Sequence, residues 1–155
     1  VIDECSMSKC VQMPAILDAR ICGLLSSANN ITFLLKKLNY DSASIKRCQN
    51  ISDAARLEGN LKDMADDLAR VGLDSALRAC KYFGKDSSLF SALLNAGAPA
   101  NKENIALSGT DIAKRIGPSG KSISLIKTKL YKEVLFKPSL NNKDDLNALL
   151  DDMGY

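Results

Sequence analysis

Residues 60–72 read NLKDMADDLARVG, and this stretch carries the most complete set of helix signals in the chain. Asn60 is a helix-capping residue. Leu61, Met64, Ala65 and Leu68 fall on one face at helical spacing, Lys62, Asp63, Asp66 and Asp67 fall on the other, and Gly72 stops the run. The same grammar extends in both directions. Upstream, Pro14 precedes Ile16, Leu17, Ile21, Leu24 and Leu25, and the polar run Ser26, Ser27, Asn29 and Asn30 breaks that helix. A second helix follows through Ile31, Leu34, Leu35 and Leu38, and Asp41 or Ser42 caps a third that carries Ile45 and Cys48. Downstream, Asp74 is expected to cap a helix up to Gly84, and Ser87 or Ser88 opens a short apolar helix ended by Asn95 and Gly97.

Residues 97–107, GAPANKENIAL, sustain neither a helical nor a strand period and are expected to be a linker. Beyond them come a short helix over 110–116, the turn Gly117-Pro118-Ser119-Gly120, a long helix over 122–136, and after Pro138 a last helix over 142–152. The expectation is an all-α chain in a two-layer arrangement of short helices, with a helical body over residues 1–100 and a smaller helical tail over 101–155. Composition agrees. The 155 residues are 46% hydrophobic and 25% charged but only 5% aromatic with no Trp, a balance that suits helices better than a sandwich or barrel.

The absence of His removes every His-based acid, base or zinc site. The cysteines, Cys5, Cys10, Cys22, Cys48 and Cys80, are odd in number, form no C-x-x-C pair and lie among apolar residues, so they are expected to be reduced, packed thiols of a cytoplasmic chain. No apolar run approaches the ~20 residues that span a bilayer, so no membrane partner is expected. Asp63, Asp66 and Asp67 share a helix face, but no fourth ligand or calcium-loop pattern accompanies them; they are expected to be a solvated face, as are Asp144 with Asp145 and Asp151 with Asp152, so no metal site is assigned. No catalytic residue is assigned either.

The net charge of +3 says little, but its distribution says more. Acids crowd residues 51–75, whereas Lys114, Arg115, Lys121, Lys127, Lys129, Lys132 and Lys137 face only Asp111 and Glu133 between 111 and 137. The segment GPSGKS (117–122) falls short of a nucleotide-binding P-loop: the first Gly of that pattern would stand where this chain has Arg115, and no buried strand precedes it. What it offers is a helix start with open amides beside Lys121 and the Ser122 hydroxyl, a seat for a single phosphate. A plain turn between two helices and a solvated lysine face account for the same residues. The expected RNA-binding set is Lys114, Arg115, Gly120, Lys121, Ser122, Lys127, Lys129 and Lys132.

Read together, NIALSGTDIAKRIGPSGKSISLIKTKLYKEVL (104–135) and NNKDDLNALL (141–150) resemble the end of bacterial CCA-adding tRNA nucleotidyltransferases of the poly(A) polymerase family. There an S-G-x-D-[LI] step precedes a Gly-Pro-rich turn and a long helix. Ser108, Gly109, Asp111 and Ile112 match the step, and Gly120 and Ile123 fit the turn, whereas Lys121 replaces its Pro and Ser124 its second Gly. DARICGLL (18–25), LLKKLNYDSASIKRC (34–48) and ARVGLDSALRAC (69–80) are similar, more loosely, to the helical body of that family.

The family's catalytic head, with its D-x-D carboxylate pair for magnesium, has no counterpart in this sequence. The resemblance therefore implies the carboxy-terminal fragment of a tRNA-processing transferase: no cofactor of its own, inactive alone, and holding tRNA for an amino-terminal head of the same polypeptide. The start at Val1 fits such a piece. The alternative, from another class, is a stand-alone helical protein–protein interaction module.

Overall fold

The computed structural model describes residues 17–24, 31–117 and 120–155. Among these residues the chain is all-α, with no strand. Nine helices follow one another: α1 (Leu17–Leu24), α2 (Ile31–Lys37), α3 (Ser42–Ala54), α4 (Leu61–Val71), α5 (Leu73–Phe83), α6 (Ser88–Asn95), α7 (Gly109–Ile116), α8 (Gly120–Phe136) and α9 (Lys143–Asp152). Short 3-10 turns lie at Lys102–Asn104 and Pro138–Leu140. The expected helix start at Pro14, the break at residues 26–30, and Cys5 and Cys10 lie outside the described residues.

Contacts gather the chain into two compact units that interleave in sequence. One comprises Val1–Leu57 and Ser75–Ser87, the other Glu58–Asp74 and Ser88–Tyr155. The body-to-tail boundary expected near residue 100 falls inside the second unit.

In the first unit α1 and α2 both pack on α3. Asp41 caps α3, its Oδ1 accepting from the amides of Ala43 and Ser44 at 2.9 Å each. Ile45, Cys48, Ile51 and Ala54, three residues apart, put one buried stripe along α3, and Leu35 and Cys22 are buried in the same unit. Cys22, Cys48 and Cys80 are free, buried thiols. Burial raises the Cys80 thiol above its ordinary range, which keeps it protonated and unreactive at neutral pH.

The second unit is built on α4 against α8. Asn60 caps α4 by accepting from Lys62 and Asp63 amides at 2.9 and 3.2 Å, and Met64, Ala65, Leu68 and Ala69 form the buried face. Gly72, at φ +91°, reverses the chain in a single residue. As a result α5 starts at once at Leu73, and Asp74 sits in its first turn instead of capping it. The apolar stripe expected on the long helix is present as Ile126, Leu130 and Val134, widened by Tyr131 and Leu135. Ile123 is only partly covered.

The stretch 97–107 departs from its expected role. It is packed: Ala98, Ile105 and Leu107 are buried, and the amide of Asp74 donates to the Ala100 carbonyl at 3.0 Å. Tyr131 explains why. Its hydroxyl, fully buried, donates to the Pro99 carbonyl at 2.9 Å and accepts from the Leu73 amide at 3.3 Å, tying the stretch and the start of α5 to α8. Pairing both groups removes the desolvation cost that buried backbone would otherwise incur.

Burial also raises the Tyr131 phenol above its ordinary value, against a smaller lowering by the Leu73 amide. A folded-state value above the unfolded one means that the stabilisation is complete below the ordinary tyrosine range, near pH ~10, and is lost progressively as pH rises beyond it. Thermal melts between pH 9 and 12 are therefore expected to lose midpoint steeply above that range. Tyr131→Phe, although less stable at neutral pH, should show a flatter alkaline limb; parallel limbs would contradict this.

Candidate nucleic-acid interface

The expected phosphate-binding set lies in the second unit, on α7 and α8. Ser108 opens α7 with a reciprocal cap: its hydroxyl accepts from the Asp111 amide at 3.1 Å, and its own amide and hydroxyl donate to Asp111 Oδ2 at 3.2 and 2.7 Å. These bonds from Ser108, with smaller help from Lys143 and Lys114, hold the Asp111 carboxyl below its ordinary range, so it is an anion at neutral pH. Gly109 follows, and a side chain there would reach Ile123 of α8 at 3.5 Å, an ordinary contact distance. Helix α7 ends at Gly117, whose φ of +86° suits glycine and whose amide bonds the Ala113 carbonyl. Pro118 and Ser119 lie outside the described residues.

The expected cations separate into two kinds. Gly120, Lys121 and Ser122 form one exposed first turn of α8, and Lys114 is exposed near the end of α7. The others are engaged. Arg115 donates to Asp151 Oδ1 at 2.8 Å and to the Asn147 carbonyl at 3.3 Å. Lys132 meets Asp66 at 2.6 Å, and Lys129, itself exposed, holds its ammonium 5.9 Å from the centre of the Tyr155 ring. Lys127 is buried, 7% exposed, with its ammonium 2.8 Å from Glu103. A buried, paired lysine does not face a polynucleotide, so Lys127 works as a packing residue whose charge is matched internally.

Two features were missed at the level of sequence. The acids that engage these cations come from distant segments, although the acid-rich run 51–75 held the signal for Asp66. Lys102, assigned to a linker, donates from its ammonium to Ser124 Oγ and Thr128 Oγ1 at 3.1 and 3.0 Å and so places another cation against α8. Among the described residues no group of three or more Cys, Asp or Glu side chains could hold a metal ion, and no helix is long and apolar enough to cross a membrane. No family model matches the chain, and no curated protein and no solved structure matches it.

Proposed function

We propose that the chain is the RNA-holding helical part of a CCA-adding tRNA nucleotidyltransferase, and that it positions tRNA for a catalytic head elsewhere in the same polypeptide. One observation carries the reading. The residues that resemble the family include a reciprocal cap at Ser108, a short helix that ends at Gly117 and a long helix whose first turn exposes Gly120, Lys121 and Ser122. The start of a 17-residue helix, beside a Lys121 ammonium that makes no ion pair among the described residues, suits a backbone phosphate. Contacts of that kind hold RNA without reading its bases, as an enzyme that accepts every tRNA requires.

The ion pairs lower the expected phosphate count. With Lys114 and Lys121 as the exposed cations that make neither an ion pair nor a ring contact among the described residues, about two phosphates are neutralised, and tRNA affinity should fall with salt at a log–log slope of roughly −1.4 to −1.8. The double variant Lys121→Ala with Lys129→Ala should flatten the slope by about one and weaken unrelated tRNAs alike. Filter binding at several ionic strengths measures both. A double variant that binds as the parent does at every salt would refute the reading. The rival, a protein-docking module, draws on Leu125 and Phe136, which α8 exposes by 58% and 46%; it requires that these lysines be dispensable.

A further inference from the structure

Arg115 directly follows Lys114, one of the two open cations of the proposed tRNA contact, in the last turn of α7. Unlike Lys114 it is engaged. Its Nη2 donates to Asp151 Oδ1 at 2.8 Å and its Nη1 to the Asn147 carbonyl at 3.3 Å, so α9 occupies both arms of the guanidinium fork. The ion pair lies at the surface, with the Arg115 side chain 33% exposed and that of Asp151 62% exposed. A pair so open to water and salt adds little to stability. Helix α9 does not depend on it for its seat either, because Leu146 and Leu150 are fully buried and hold the helix by their apolar surface. Lys127 differs, since its ammonium is buried and losing Glu103 would strand the charge. Lys132 pairs with Asp66 at the surface, but it stands about three turns along α8 from Lys121, roughly 16 Å away.

We infer that Asp151 restrains the tRNA contact: it withholds Arg115 from the RNA backbone and so keeps the number of phosphates held at about two. A guanidinium presents the same fork of donors to a carboxylate as to a phosphate, so Asp151 fills the place that a phosphate oxygen would take. The restraint presupposes the tRNA contact proposed above and belongs to the same site. Its effect is on release, because each further phosphate contact lengthens the stay of the RNA, and a chain that positions tRNA for a catalytic head must also let the product go.

The test titrates the full chain with tRNA by filter binding at several ionic strengths. Asp151→Ala should raise affinity about two- to fivefold at low salt and steepen the log–log slope by about 0.7 to 0.9, as Arg115 joins the contact. Asp152→Ala removes the same charge from the next residue of the same helix and should leave the slope unchanged. Arg115→Gln combined with Asp151→Ala has the parent's net charge and should return both slope and affinity to the parent's. Both aspartates are exposed and alanine suits a helix, and circular dichroism verifies that each variant keeps its helical content. Equal gains from Asp151→Ala and Asp152→Ala, a gain that persists without Arg115, or no gain at all overturns the restraint. Binding that depends on Lys121 and Lys129 but not on Asp151 overturns the restraint alone and leaves the tRNA reading standing, whereas a parent chain that binds no tRNA overturns both.

Discussion

Gly72→Ala is expected to lower stability by about 3 kcal/mol, most of what a single residue in the second unit can cost. Gly72 combines φ +91° with ψ 153°, a region that only glycine occupies without strain. A Cβ added there would stand 2.7 Å from Asp74 Oδ1, 3.1 Å from Asn101 Cβ and 3.3 Å from the Ala100 carbonyl oxygen. The aspartate can swing away. The carbonyl cannot, because it accepts the Asp74 amide at 3.0 Å and belongs to the stretch that Tyr131 pins through Pro99. Backbone strain and crowding therefore add, with no cheap relaxation. Urea unfolding measures the effect as a lower midpoint at unchanged m-value, and a loss under about 1 kcal/mol would show that the α4–α5 junction is softer than its geometry.

Leu130→Ala is expected to cost about 3 to 4 kcal/mol and about 10 °C in Tm. Leu130 is fully buried in the middle of α8, the helix against which α4 packs, and its neighbours Ile126, Tyr131 and Val134 are equally enclosed. Truncation leaves a cavity that these residues cannot fill without leaving their own positions. Leu125→Ala, on the exposed side of the same helix, removes the same atoms and should stay within about 0.5 kcal/mol of the parent. Similar losses in the two variants would mean that α8 does not present the face described.

The elements legible in the sequence are those whose causes are local. Asp41 and Asn60 announce their helices because a cap needs only a short polar side chain two or three residues before the amides it satisfies. Gly72 and Gly117 end theirs for an equally local reason. What was not legible depends on partners far along the chain. The stretch 97–107 looks like a linker by composition and becomes core because a tyrosine 32 residues beyond Pro99 reaches its carbonyl. Lys127 looks like a basic-face residue, yet its position beside Ile126 and Leu130 turns it inward, where Glu103 supplies the counter-charge. The candidate interface was legible as a basic segment. The division of its cations into paired and open ones was not, because Asp66, Glu103 and Asp151 meet them only after folding.

The interleaving of the two units also bears on how the chain is made. Helix α4 is complete at Val71, whereas α8, its main packing partner, begins at Gly120. A ribosome adding about 5 to 20 residues each second releases α4 seconds before that partner exists, and during this interval Met64, Leu68 and their neighbours have no surface to bury against. The contact from Tyr131 to Leu73 closes a separation of 58 residues and can form only after Tyr131 has been made. The first unit, whose latest segment ends at Ser87, is available much sooner. Nascent chains stalled before Gly120 should therefore hold the first unit folded, with α4 waiting and dependent on chaperones until the long helix emerges.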